Sequence, residues 1–284
     1  MNLLYKYLAP DRVDVVAKRL IRYTQSSALN DPFEGRPSIT AISDNETARL
    51  AFQNLLPEQT MESYKQLDEK QKKLISFELF SALVNARFKA LEPQLPNVLN
   101  AFTPFVKKVI HEKMDKHFGI LSLSEVADNV LMWSHYAADH TGFVLGFDAT
   151  NPHFDERKSE ADDLRHLRPV VYADDRPKGP MNEWDGIKLF WVKSKKWEYE
   201  CEWRIVRPLA DATEILRTTP YSVHLFGYPA GSLREIIFGA RILDSTKQAL
   251  LNAVIADPAV SHIRFKYARI DDNDFLIRIE DTVS

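Results

Sequence analysis

The densest group of side chains able to do chemistry is residues 193–206, Lys-Ser-Lys-Lys-Trp-Glu-Tyr-Glu-Cys-Glu-Trp-Arg-Ile-Val. Read as one strand, it alternates Glu198, Glu200, Glu202 and Arg204 with Trp197, Tyr199, Cys201 and Trp203, so the carboxylates share a face. A charged edge strand that resists aggregation would account for this pattern. Against that, three carboxylates at period two repel one another, and Lys196 and Arg204 are the flanking cations that relieve them. A carboxylate group beside Arg is also how a site keeps an acid ionised against a developing positive charge. Of the segments considered, this one points most clearly to catalysis.

Residues 129–142 read Asn-Val-Leu-Met-Trp-Ser-His-Tyr-Ala-Ala-Asp-His-Thr-Gly. With Asn129 as the cap of a short helix, Trp133, Tyr136, Ala137 and His140 fall on one face. Such a stripe is either core, with the His satisfied inside it, or the wall of a pocket. In the second case Trp133 stacks a ring while His135, Tyr136 and His140 bond its substituents. A metal held by His135 and His140 is disfavoured, because a spacing of five splays the rings and no third ligand stands nearby.

Residues 30–35, Asn-Asp-Pro-Phe-Glu-Gly, offer the third group. Asp31 as N-cap, Pro32 at the first helical position and Glu34 closing a capping box make a purely structural account. The functional alternative is a rigid turn from which Asn30 and Asp31 line a ligand pocket.

The elements that must position these groups follow from periodicity and punctuation. Residues 3–7 and 21–24 read as strands around a helix over 11–20. Residues 45–118 turn to Leu, Glu, Lys, Gln and Ala without strand-like alternation and form a helical block, with breaks expected at Pro57, Pro93, Pro96 and Pro104. Strands are expected at 120–123, 142–147, 169–173, 203–206, 236–239, 262–268 and 275–279, and a helix at 245–256 capped by Asp244 or Ser245. Residues 155–167 are charge-dense, lack an apolar stripe and read as a solvated loop or a partly exposed helix. The fold class is α+β, a single mixed β-sheet core with a helical insertion after the N-terminal strands; 1–284 forms one domain, with 45–118 as an inserted subdomain.

Composition narrows the functions. The 284 residues are 45% hydrophobic, with 37 Lys and Arg against 40 Asp and Glu, for a net charge of −3. Such a balance supplies no global field toward nucleic acid or an anionic membrane. Cys201 is the single cysteine, so no intramolecular disulfide can form. With no targeting segment and no membrane-length apolar run, the expected setting is the cytoplasm.

The motifs LYKY at 4–7, LNDPFEG at 29–35, LMWSHYA..H.GFVLGF at 131–147, W.YE.EWRIV at 197–206 and IIFGARI at 236–242 identify the chain as a member of a widespread bacterial family of unknown function. More distantly, the order of a basic residue on the first strand, an aromatic-hydroxyl segment and a Glu opening a later strand is similar to ADP-ribosyltransferase-like domains. That resemblance implies a sheet split around a nicotinamide-dinucleotide cleft. On it, Lys6 would hold phosphate or ribose, Tyr136 would stack on or cover nicotinamide, and Glu202 would be the catalytic carboxylate with Glu200 as its alternate. Lys6 stands where those domains carry His or Arg, and the helical insertion is longer than such a domain needs.

The expected function is therefore cleavage or transfer at a nucleotide N-glycosidic bond, with NAD as substrate, no metal, and an unspecified macromolecular acceptor, in a toxin or phage-defence setting. The expected pocket comprises Asn30, Asp31, Trp133, His135, Tyr136, His140, Glu200, Glu202 and Arg204, with Lys6. Two alternatives differ in class. One is a non-catalytic module whose helical block binds a protein or, through Lys65, Lys70, Lys72, Lys73, Lys107 and Lys108, nucleic acid. The other is a metal-dependent nuclease with Asp31, Glu34, Glu200 and Glu202 as ligands.

Overall fold

The computed structural model describes residues 3–184, 186 and 188–281. The fold is α+β, and the chain divides into two compact units.

The first unit, within 1–36, 113–176 and 186–284, is built on an eight-stranded mixed sheet. Its strand order is Ile277–Asp281, Arg264–Ile270, Leu233–Phe238, Phe143–Asp148, Leu3–Leu8, Phe118–Ser124, Glu202–Pro208 and Arg168–Pro169. The parallel pair, Leu233–Phe238 with Arg264–Ile270, is linked by the helix Asp244–Ala256, as a parallel connection requires. That helix begins after Leu243 without a side-chain cap, where Asp244 or Ser245 was expected to provide one. Alongside the main sheet lie a three-stranded sheet, containing Leu20–Tyr23 and Val223–Gly227, and a two-stranded one.

Alternation along the central strands distributes the core over both faces. Leu4, Leu8, Phe143, Leu145, Phe147, Ile236 and Phe238 pack into one cluster with Leu250 and Val254 of the Asp244–Ala256 helix. Tyr7, Val144 and Ile237 pack on the other face against Met132 and Trp133. These last two belong to the helix Val130–Tyr136, whose start is fixed by the Asn129 side chain accepting from the backbone N–H groups of Leu131 and Met132.

Between two strands the ladder is nearly absent. Leu3–Leu8 pairs fully with Phe143–Asp148, but among the described residues it meets Phe118–Ser124 only at Tyr5↔Ser124. Phe118–Ser124 pairs in turn with the whole length of Glu202–Pro208. The sheet therefore parts between its fifth and sixth strands, and the Lys6 ammonium bridges the gap by donating to the Ser122 carbonyl at 3.0 Å.

The second unit, within 37–112 and 177–185, contains the helices Asn45–Lys65, Glu69–Leu74, Phe77–Leu91 and most of Leu95–His117, with a small parallel pair of strands, Ser38–Ala41 and Lys178–Pro180. Asp44, Asp68 and Ser76 cap three of these helices, Asp68 with Gln71 in a full capping box. Pro57 and Pro104, expected as breaks, lie inside helices of 21 and 23 residues. A proline removes one ladder hydrogen bond and kinks the helix, and a long, packed helix tolerates that. Pro93 sits in the 3-10 turn Glu92–Gln94, and Pro96 at the start of the last helix, where its fixed φ suits the first turn.

Candidate active site

The cleft left by the parted strands has a volume of about 270 Å³, just below the ~300–1,000 Å³ usual for small-molecule sites. Asn30, Tyr136, Glu200 and Glu202 line it, together with Lys6, Arg22, Glu34 and Lys193. These residues are far apart along the chain and come from different elements: Lys6 from a central strand, Asn30 and Glu34 from a turn, Tyr136 from a helix end and Glu202 from the start of another strand.

Residues 193–206 do not form the single strand expected from their alternation. Residues Lys195–Glu200 form a 3-10 helix and Cys201 takes a left-handed φ of 43°, after which Glu202–Pro208 runs as a strand. Left-handed backbone costs a non-glycine residue roughly 1–2 kcal/mol. Here the bend is held by Ser124 Oγ donating to the Glu200 carbonyl at 2.7 Å and the Glu125 N–H donating to the Cys201 carbonyl at 3.0 Å. The bend also determines where the acids go. Glu200 and Glu202 are buried around Lys193, while Glu198 and Lys196 are exposed.

Lys193 and Arg204 hold the cluster together. The Lys193 ammonium pairs with Glu200, lies 3.0 Å from Glu202 and forms a 2.9 Å ion pair with Glu34. Arg204 donates through Nε and a terminal nitrogen to the two Glu202 oxygens at 2.7 and 2.8 Å, and also bonds Glu34 and the Phe190 carbonyl. Glu34 enters from a turn, Asp31 to Gly35, in place of the expected capping-box helix. Gly35 has a φ of 61°, and a Cβ there would stand 2.4 Å from Ser26 Oγ, so the turn requires glycine.

Burial and pairing drive the two central carboxylates in opposite directions. Burial would raise the Glu202 carboxyl, but Arg204 and Lys193 outweigh it and hold the group down at about 2. Glu200 is pushed up, mainly by burial, against the opposing pull of Lys193 and Tyr136. The Tyr136 hydroxyl donates to Glu200 Oε1 at 2.6 Å and accepts from the Asn30 amide at 2.7 Å. Lys6 is pushed down to about 8 by burial, with Arg12 and Arg22 adding to the shift and Glu202 opposing it.

The remaining expected pocket residues lie elsewhere. Trp133 is fully buried, its indole N–H donating to the Ala127 carbonyl at 2.8 Å and its ring edge-on to Tyr7. His140 stacks on Trp133 with centroids 6.4 Å apart. It reaches that place because the helix ends at Tyr136 and Ala138, Asp139 and His140 all adopt positive φ, so the four-residue stripe does not continue as one helical face. His135 is exposed. Asp31 is buried but caps its own turn, accepting from the Phe33 N–H at 2.9 Å. Arg204 lies behind Glu202 as its support and does not line the cleft.

Sequence reasoning left Lys193 and Arg22 without a role and treated Glu34 as a cap or metal ligand. The signal for Lys193 was its position directly after the apolar run Phe190-Trp191-Val192, which carries its ammonium into the interior. Among the described residues no group of three His, Cys, Asp or Glu has a metal-holding arrangement. The place between Glu34, Glu200 and Glu202 that a cation would take is filled by the Lys193 ammonium.

The family profile described as Protein of unknown function (DUF2971) matches residues 132–205, which run from the Trp133 helix through the carboxylate cluster. No curated protein and no solved structure matches the chain. Among the described residues no helix is long and apolar enough to cross a membrane.

Proposed function

We propose that the protein is an enzyme acting at the N-glycosidic bond of a nucleotide, by ADP-ribosyl transfer or hydrolysis, with NAD as the substrate to test first. The observation that carries this reading is the pair of carboxylates in one cleft, Glu202 held ionised and Glu200 pushed toward protonation. Environments that separate two carboxylates in this way assign them different roles in acid–base and glycosyl chemistry.

In the proposed reaction the bond between ribose C1′ and the nicotinamide nitrogen breaks, and the electron pair leaves with nicotinamide, which becomes neutral. Glu202 stabilises the oxocarbenium-like ribosyl centre. The oxygen of water or of an acceptor hydroxyl then bonds to C1′ and its proton passes to the ionised form of Glu200, which Lys193 and Tyr136 favour and which burial makes a stronger base than Glu202. Tyr136 and Asn30 orient Glu200, and Lys6 faces the phosphate or ribose side of the ligand. A cytoplasmic setting, where NAD is available, and a toxin or phage-defence role accompany this reading.

Incubating purified protein with NAD and candidate acceptors tests it, with Glu202→Gln in parallel. Wild type is expected to consume NAD and the variant to lose roughly 10²–10³-fold in rate. Absence of NAD consumption and of any modified acceptor, or an equally active variant, defeats the proposal.

A second reading, partner binding through the helical unit, is favoured by its exposed Leu50, Phe52, Leu55, Leu79, Leu83, Phe102 and Phe105. Nucleic acid is the weaker choice of partner there, because Lys65, Lys72 and Lys108 pair with Glu62, Glu69 and Glu112 on the same helices.

A further inference from the structure

Arg22 lines the cleft and, among the described residues, none bonds its guanidinium. It lies on the strand Leu20–Tyr23 opposite Leu225, its Nε is buried without a hydrogen-bond partner, and no ion pair among the described residues reaches its guanidinium. Two other cations stand close enough to repel it or one another. Arg12 disfavours the charge on both Arg22 and Lys6, and Arg22 disfavours that on Lys6. The acids that line the cleft with Arg22, namely Glu34, Glu200 and Glu202, are engaged by Lys193 and Arg204, and Asp14 is paired with Arg12 at 3.1 Å. A half-buried guanidinium with no counter-charge is costly, and a multivalent oxyanion satisfies it through its fixed fork of donors.

The cavities on either side of Arg22 indicate the shape of that anion. One is the carboxylate cleft. The other, of about 400 Å³, is lined by Ser27, Thr218, Thr219 and Tyr221, and the two share Arg22, Ala28 and Leu29 as a common wall. Tyr221 is 40% exposed and offers a ring face, and its carbonyl accepts from the Thr218 hydroxyl at 2.6 Å.

We propose that Arg22, with Lys6, forms a pyrophosphate subsite joining the two hollows, so that the ligand is dinucleotide-like, one half in the carboxylate cleft and the other against Thr218 and Tyr221. This inference rests on the nucleotide reading above and specifies its substrate class: two heterocyclic or sugar halves linked by a doubly charged bridge.

Calorimetric titration with ADP-ribose, which contains the pyrophosphate but lacks the nicotinamide–ribose bond, provides the test. Arg22→Gln is expected to weaken ADP-ribose about 10–100-fold, the effect of losing charge-assisted bonds, while adenosine binding stays within twofold. Tyr221→Ala is expected to weaken ADP-ribose and leave ribose 5-phosphate unchanged. Arg22→Lys, which keeps the charge and loses the fork, should fall between wild type and Arg22→Gln and guards against misfolding of the latter. Equal ADP-ribose affinity in wild type and Arg22→Gln, or no binding by wild type at millimolar ligand, overturns the subsite. The two proposals fail separately. NAD turnover that is indifferent to Arg22 removes the subsite and leaves the reaction standing, whereas Arg22-dependent binding without turnover, unaffected by Glu202→Gln, removes the reaction and leaves the subsite.

Discussion

Two regions of the first unit begin with the same kind of sequence, aromatic rings interleaved with polar residues, and end as different things. Around Trp133 the polar groups that find partners find them close by: the indole N–H at Ala127, His140 Nε2 at Ser134, 3.3 Å away, and the helix start at Asn129, while His140 Nδ1 is buried without a hydrogen-bond partner. Around Glu202 the partners converge from far along the chain, Glu34 on Arg204 across 170 positions and Tyr136 on Glu200 across 64. The first region closes on itself and becomes core. The second cannot be completed locally, gathers three carboxylates on two cations, and opens onto the cleft. Tyr136 is the last helical residue of one and a hydrogen-bond donor to the other, so it marks the boundary between them.

Equal damage to the two regions should register differently with pH. Lys193→Met leaves three buried carboxylates with Arg204 alone, and Trp133→Ala leaves a cavity; each is expected to cost about 3–5 kcal/mol at pH 7. In the wild type, Glu202 is held at about 2, below its unfolded value of ~4.3. Its contribution is present above pH ~4.3 and is lost as pH falls toward 2. Glu200, raised in the fold, contributes with the opposite sign: its contribution is present below pH ~4.3 and is lost as pH rises through its folded value. Removing Lys193 raises both folded values, so the variant's deficit should grow as pH rises from 4 to 8, while the Trp133→Ala deficit stays nearly flat. Urea midpoints across that range check this, and parallel curves for the two variants would erase the distinction between the regions.

The boundary residue gives a smaller and more specific effect. Tyr136→Phe keeps the ring and removes the hydroxyl that links Asn30 to Glu200. Stability is expected to fall by about 1 kcal/mol. In the proposed NAD cleavage kcat should fall roughly tenfold with KM little changed, and the pH profile should shift, because Glu200 loses a donor that favours its ionised form. An unshifted profile with a raised KM would make Tyr136 a binding wall only.

Much of the fold was legible because strand and helix periods are local. Residues 3–7, 120–123 and 203–206 sit inside the strands Leu3–Leu8, Phe118–Ser124 and Glu202–Pro208, and 236–239 overruns the end of Leu233–Phe238 by one residue. The bend at Cys201 was not legible, since nothing in Tyr-Glu-Cys-Glu marks a left-handed residue; contacts with Ser124 and Glu125, more than seventy positions away, impose it. The same applies to Lys193 and Arg22. A lysine after an apolar run looks like the end of a strand until three acids converge on it, and Arg22 acquires meaning only when two cavities meet at its side chain.

His135 sets the lower end of the comparison. By residue type it was as strong a candidate as its neighbour Tyr136, yet one step along a helix is a rotation of about 100°, which turns its ring outward while Tyr136 faces the cleft. An exposed imidazole whose one close ring contact among the described residues is Tyr136, edge-on at a centroid distance of 6.3 Å, has little to lose. His135→Ala should therefore change NAD cleavage by no more than about twofold and leave the urea midpoint within experimental reproducibility, as expected of a surface substitution away from special features. A loss approaching that of Glu202→Gln would require the cleft to extend over the outer face of the Val130–Tyr136 helix, and the division between closed core and open site would then pass through this helix instead of ending at Tyr136.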